Sequence, residues 1–318
     1  MEHGLLECLK KITKRRVQEV VTMPHLTSGN GHQIGLTLQA TKKSSNATRM
    51  PQPVHTLRLS TPLCEPVSLD ASDQSTIPQS TAWYGITDRG RVREHNEDNF
   101  AILELADKVL FVLADGMGGH DAGEVASRIA TETVCNVVKE NHVTSTDYPR
   151  LVERAVQAAN IEVLREGVRR RSDLGTTLSV ALVVNDIVYA ANVGDSRIYW
   201  IENGSISQIT KDHSLVAKLV EAGKLTKEEA RNHPQSNLLI RTVGNDETIK
   251  ADTFRVSLKK GGTLLLCTDG LWGDVTDDEI HRVCTLEENA RAAGDRLVEM
   301  AKEHSGKDNI TVVVVKAL

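Results

Sequence analysis

Two apolar runs in this chain end in the same way, and that repetition limits the fold more than any other feature. Residues 109–114 run V-L-F-V-L-A into Asp115-Gly116, and residues 263–268 run T-L-L-L-C-T into Asp269-Gly270. Each is a strand-like segment that delivers a carboxylate to a glycine corner. Two more aspartates flank apolar runs: Asp195 follows 187–193, and Asp308 precedes 310–315. Asp98 and Glu97 lie upstream, in R-V-R-E-H-N-E-D-N-F. A lone Asp-Gly after a strand is usually only a turn. Several such corners in one chain are what an oxygen-ligand metal site needs, with rigid strands fixing the carboxylates.

The rest of the pattern supplies the scaffold. Further strand-like runs fall at 177–184 and 197–201, with hairpin signals at Asn185-Asp186 and Asn203-Gly204. Hairpin neighbours are antiparallel. Amphipathic helical patterns cover 123–140 and 151–168, and Thr226 and Glu229 give capping-box spacing before a shorter helix. Thr285 and Glu288 give the same spacing before a helix to about Glu303, with Gly306 just beyond its end. Hairpin clusters separated by long helices predict an α+β fold with a sheet-on-sheet core.

Residues 1–80 read differently from 81–318. The first 80 residues carry a formal charge of +3 and the rest carry −8. A basic helix is expected near 4–21, followed by a disordered linker rich in Ser, Thr, Gln, Asn and Pro up to Ser80. The folded domain is expected over 81–318. With a net charge of −5 and no basic stripe, the chain does not read as a nucleic-acid binder. No apolar run reaches the length of a membrane span, and there is no secretory h-region. Five scattered cysteines without C-x-x-C point to reduced thiols and a cytoplasmic location.

Clustered carboxylates raise one another's pKa, and divalent cations relieve that repulsion. Hard oxygen donors favour Mg²⁺ or Mn²⁺ over Zn²⁺. Two such ions about 4 Å apart hold a bridging water and make it a nucleophile. Arg93 has two readings on the local string: a surface ion pair within the charged stretch 91–98, or a fork that grips phosphate oxygens. Cysteine-based phosphatase chemistry is disfavoured, because no cysteine has an arginine six positions later. The phosphate-binding loop G-x-x-x-x-G-K-[ST] is also absent.

Seven segments, in order, resemble the metal-dependent serine/threonine protein phosphatases of type 2C. They are R-x-x-N-E-D at 93–98, A-D-G-M-G-G at 114–119, G-T-T at 175–177, N-V-G-D-S-R at 192–197, D-H-S at 212–214, T-D-G-L at 268–271 and K-D-N-I at 307–310. The D-G-M-G-G form and an insert between Ser214 and Arg241 are closest to the bacterial members, in which that insert is a flap beside the active site. The resemblance implies a four-layer α-β-β-α sandwich, two antiparallel sheets flanked by helices, and hydrolysis of phosphoserine and phosphothreonine in proteins. It implies two Mn²⁺ or Mg²⁺ ions, with Asp115 bridging them and the Gly116 carbonyl, Asp269 and Asp308 completing their shells. Asp98 and Glu97 would hold coordinated waters. Asp195, with Asp269, would take a weaker third ion, and Arg93 would bind the substrate phosphate. Substrates would be phosphorylated proteins made by a serine/threonine kinase.

The resemblance departs at Met117, where many eukaryotic members carry a histidine proposed as general acid. Methionine donates no proton. His120 lies nearby in sequence, and the general acid is left unassigned. Two alternatives stay open: a catalytically inactive relative acting as a binding module, and a phosphoesterase for small molecules.

Overall fold

A computed structural model describes residues 81–118, 122–202 and 204–317. The basic helix and polar linker expected over 1–80 lie outside the described residues, as does His120.

The apolar runs become strands buried on both faces. β1 (Thr81–Asp88), β11 (Ile310–Ala317), β10 (Thr263–Cys267), β7 (Arg197–Glu202) and β8 (Ser205–Gln208) form a five-stranded sheet in that order. The second, six-stranded sheet runs β2 (Asp98–Leu105), β3 (Lys108–Met117), β5 (Leu178–Val184), β6 (Ile187–Val193) and β9 (Asp252–Ser257), with β4 (Gly175–Thr176) paired onto β3. Every pairing is antiparallel. Both expected hairpins form: Asn185 turns β5 into β6 at φ 53°, and Gly204 turns β7 into β8 at φ 75°.

Side chains alternate across each strand, so one apolar run serves two cores. Phe111 and Leu113 meet Leu264, Leu266, Val313 and Ile198 between the sheets. Leu110 and Val112 point the other way, onto α1 (Ala122–Asn141) and α2 (Tyr148–Arg170), where Val134 and Val156 receive them. On the opposite outer face, Leu265, Val312 and Val314 pack against α6 (Asp277–Leu286) and α7 (Ala290–His304) through Ile280 and Leu297. The result is the expected α-β-β-α sandwich. Its central core is mostly aliphatic, as a chain with 3% aromatic residues requires.

One boundary differs from the sequence reading. Thr285 lies inside α6, and the cap of α7 is Asn289, whose side chain accepts from the Ala292 N–H at 2.8 Å. The apolar stripe Ile280-Val283-Cys284 carries α6 past Thr285, and Asn is the stronger cap. The capping box that does form there is Thr276 with Glu279. The Thr226–Glu229 box also forms, opening α4 (Lys227–Arg231). With α3 (Leu215–Glu221), this helix makes the flap. Leu215, Leu219, Val220 and Leu225 are only half-buried, and the fully buried flap residues are Val216 and Ala230. Among the described residues no helix is long and apolar enough to cross a membrane.

Candidate active site

The register of two strands starts the site. β2 and β3 place Asp98 directly opposite Asp115. Asp115 is not quite at the strand end, because β3 continues to Met117 and pairs Gly116 with Thr176. The G-T-T segment holds this corner from beside it. Thr177 Oγ1 accepts the Asp115 N–H at 2.9 Å, and the Thr177 N–H and Thr176 hydroxyl both donate to the Asp115 carbonyl at 2.9 Å. A side chain at Gly116 would strike the Gly123 carbonyl at 2.0 Å and the Glu97 carbonyl at 2.6 Å, so only glycine fits.

The other sheet supplies two more carboxylates to the same end of the sandwich. Asp269 opens α5 (Asp269–Trp272), a single turn directly after β10. Asp308 precedes β11, and its Oδ2 accepts from Arg93 Nη2 at 2.7 Å. Arg93 thus pairs across the fold and not within 91–98. Its side chain remains 47% exposed. Asn309 ties the loop carrying Arg93 and Glu97 to the base of β11: its Nδ2 donates to the carbonyls of Arg89 and His95 at 2.9 Å, and its Oδ1 accepts the Glu97 N–H at 2.8 Å.

Asp98 is 6% exposed and asymmetrically satisfied. Its Oδ2 accepts from Thr311 Oγ1 at 2.6 Å and Thr268 Oγ1 at 2.9 Å, while its Oδ1 is buried with no partner. Thr268 is the N-cap of α5 yet makes no capping bond; its hydroxyl serves Asp98 instead. Asp195 is 4% exposed and follows Gly194, whose φ of +100° only glycine adopts readily. The Gly194 N–H donates to His213 Nδ1 at 3.1 Å, and the His213 N–H returns to the Gly194 carbonyl at 2.9 Å.

The electrostatics agree with this crowding. Burial pushes the Asp98 carboxyl up to about 7, and neighbouring Asp269 and Asp308 add to the rise. Burial raises Asp269 to about 6, with Asp308 adding to it and a hydrogen bond from Asp115 opposing it. Asp115 and Asp195 are also pushed well above the usual carboxylate range, first by burial and then by neighbouring charges, Asp98 and Asp269 on Asp115 and Asp269 and Asp212 on Asp195. Glu97 is raised by burial and eased by a bond from the Gly123 N–H at the start of α1.

Asp98, Asp115, Asp195, Asp269 and Asp308 therefore converge with Arg93 and Glu97 at one end. Among the described residues, no three acidic, imidazole or thiol groups are drawn into a closed cage. The cluster is a wider nest, with Arg93 holding one oxygen of Asp308. Its donors fit a hard divalent cation: all are oxygens, and one buried oxygen of Asp98 lacks any partner. Sequence reasoning assigned no role to Thr268, Thr311, Asn309 or Trp272, which stand behind the carboxylates. Thr268 and Asn309 did fall inside the T-D-G-L and K-D-N-I strings.

A groove of about 750 Å³ leads from Asp269 past Trp272 and Asp212 to Lys227 and Arg231 beneath the flap. Backbone bonds from Leu215 to Leu238 and from Ile240 to His213 close the flap at its stem.

The family model for protein phosphatase 2C matches residues 88–310, from the end of β1 to the start of β11. The chain belongs to the protein phosphatase 2C family. It is 39% identical over 235 residues to the serine/threonine phosphatase stp of Listeria innocua, covering 72% of this chain and 93% of that one. The serine/threonine phosphatase of S. agalactiae superposes with a TM-score of 0.71 at 32% identity, covering 75% of this chain and all (100%) of that one. The catalytic domain of PstP, solved in complex with two manganese ions, superposes at 0.66 with 33% identity over 74% of this chain and 98% of its own. Type 2C character, expected from seven short strings, thus extends over residues 88–310.

Proposed function

We infer that this protein is a metal-dependent protein serine/threonine phosphatase, releasing inorganic phosphate from phosphoserine and phosphothreonine. The observation that carries the reading is the convergence of five aspartates from both sheets on one rim, with an arginine half-open to solvent beside them. The protein relatives bearing this fold are named serine/threonine phosphatases, which favours an enzyme over a binding module. All the expected side-chain ligand positions carry acidic residues here, and Gly116 stands where a carbonyl ligand is expected.

Asp115, the Gly116 carbonyl, Asp269 and Asp308 are assigned to two divalent ions, Mn²⁺ or Mg²⁺, with Asp98 and Glu97 ordering water around them. Asp195 and Asp269 are assigned to a weaker third ion. When bound, these ions supply positive charge against the phosphoryl oxygens and acidify a water. The chain's own residues do the positioning. Asp308 anchors one Nη of Arg93, leaving the rest of its guanidinium fork exposed to take the phosphoryl oxygens. Thr176 and Thr177 fix the Asp115 main chain, so its carboxylate would be offered to the ions in one orientation. A water oxygen joins phosphorus as the ester P–O bond breaks; the water gives up one proton, the serine or threonine oxygen leaves carrying one, and the products are inorganic phosphate and the free hydroxyl. Met117 has no proton to donate and is not the general acid.

Substrates are phosphoproteins made by a serine/threonine kinase, with the flap and its groove selecting among them. The buried thiols Cys267 and Cys284 support a reducing, cytoplasmic setting. The catalytic unit in this reading is 81–318.

The test compares phosphopeptides with sugar phosphates and nucleotides, in manganese, in magnesium and after chelation. Phosphopeptide cleavage that needs the metal is expected. Preference for small phosphates would transfer the reading to a small-molecule esterase, and hydrolysis of nothing would leave a binding module. An Asp115→Asn variant that cleaves p-nitrophenyl phosphate as fast as wild type would defeat the mechanism.

A further inference from the structure

Trp272 stands one helical turn beyond Asp269 and reaches back to the neighbouring loop. Its Nε1–H donates to the main-chain carbonyl of Asp195 at 3.0 Å. Two residues further along, at the start of β7, the Arg197 guanidinium carbon lies over the indole, 3.6 Å from its ring centre. A single side chain therefore holds both ends of 195–197.

The partners of Arg197 make this arrangement stiff. Asp212 accepts from its Nη2 at 2.8 Å and from its Nε at 3.2 Å, and Nη1 donates to the Tyr199 hydroxyl at 2.8 Å. The Tyr199 hydroxyl donates in turn to Asp277 Oδ1 at 3.2 Å, and Gln208 Nε2 donates to Asp212 at 2.7 Å. A planar guanidinium locked along two edges presents a fixed face for stacking. The indole is equally fixed to Asp269, since α5 is one turn closed by the Gly273 N–H on the Asp269 carbonyl at 2.7 Å. Asp195 precedes β7 and Asp269 follows β10, neighbouring strands of the five-stranded sheet whose ladder ends at the Arg197–Cys267 pair. Beyond that last pair, among the described residues, Trp272 is the side chain that bonds the Asp195 loop to the helix bearing Asp269.

We propose that Trp272, braced by Arg197, is a positioning residue that sets the spacing between Asp195 and Asp269 and thereby the affinity of the cation they share. Neither residue touches the reacting atoms. The inference rests on reading those two aspartates as ligands. It adds that their separation is enforced from behind by an indole N–H and a cation–π stack.

The experiment is calorimetric titration of Mn²⁺ into chelator-stripped full-length protein, as wild type, Asp195→Asn, Trp272→Phe and Arg197→Lys. Asp195→Asn identifies the weak binding step. Trp272→Phe keeps a ring under Arg197 but loses the N–H, and weakens that same step about fivefold to tenfold, the worth of one hydrogen bond. The tighter steps and the metal-free melting temperature stay near wild type. Arg197→Lys keeps a charge for Asp212 but loses the flat face, and weakens the step less; it carries the test should Trp272→Phe not fold. A Trp272→Phe titration that superposes on wild type overturns the proposal, as does an equal weakening of every step, which would mean general loosening. If Asp195→Asn itself titrates like wild type, the ligand assignment falls and the inference with it. Phosphopeptide cleavage by wild type is measured separately. Inactivity alongside an intact titration would sink the phosphatase reading and leave this inference standing.

Discussion

The space between the sheets and the acidic nest at its end are made by the same strands under opposite rules. Between the sheets, Phe111, Leu113, Leu264, Leu266 and Val313 are fully buried and want no partner. At the rim, Asp98 and Asp195 are almost as buried, yet they crowd like charge against like and leave one oxygen of Asp98 unpaired. Burial stabilises the first region and strains the second. The aliphatic layers supply the rigidity that forces carboxylates into positions they would not otherwise keep.

Truncation in each region should break that pairing of roles in opposite ways. The largest expected effect is Leu113→Ala, which leaves a cavity between the sheets and costs about 2–5 kcal/mol of stability in denaturant titration. The catalytic rate per folded molecule should stay close to wild type. Asp115→Asn should do the reverse: turnover falls by at least about 10²-fold while metal-free stability holds or rises, because a charge leaves a crowded group. If Asp115→Asn destabilised the metal-free fold as strongly as Leu113→Ala, the contrast would be wrong.

A smaller effect comes from pH. Asp98 and Asp269 titrate at about 7 and about 6 in the folded protein, well above the ordinary 3.8. Between those values the folded state binds more protons than the unfolded one, so stability falls as pH rises from about 4 to about 7. Chelated protein should melt at a higher temperature at pH 5 than at pH 8, and manganese should restore the loss at pH 8. Burial depresses His213, which works in the opposite direction. Asp98→Asn separates the two, since only the carboxylate's share of the slope disappears. A melting temperature that climbed with pH equally in both proteins would refute the account.

The smallest effect tests the flap. Replacing 224–229 with a Gly-Ser linker should leave p-nitrophenyl phosphate cleavage within about twofold, since those residues make no bond to the nest. The ranking of phosphopeptides should change. An unaltered ranking would reduce the flap to cover over the domain edge.

How far these regions could be read from sequence differs for a physical reason. β3, β5, β10 and β11 were legible because strands covered on both faces are continuous aliphatic runs. β1, β2 and β9 were not named: T-A-W-Y-G-I-T-D and D-T-F-R-V-S mix polar and apolar residues, and long-range partners make them strands. The nest's carboxylates could be picked out by their glycine corners, but nothing local joined Asp308 to Arg93, which lie 215 positions apart. The order of the type 2C strings did that. Thr311 and Trp272 stayed silent because a hydroxyl inside a valine-rich strand and an indole in a short turn look like ordinary core residues until their partners are seen. The misplaced cap at Thr285 shows the limit of spacing rules, since Asn289 four residues later offered a better one.

The direct facing of Asp98 and Asp115 makes the short turn between β2 and β3 unforgiving. One extra codon there would slide the hairpin by a single step. Such a slip turns Phe111 and Leu113 outward at the same moment that it separates the two acids. Heredity can therefore lengthen the outlying loops of this enzyme freely, but at residues 106–107 it must change letters without changing their number.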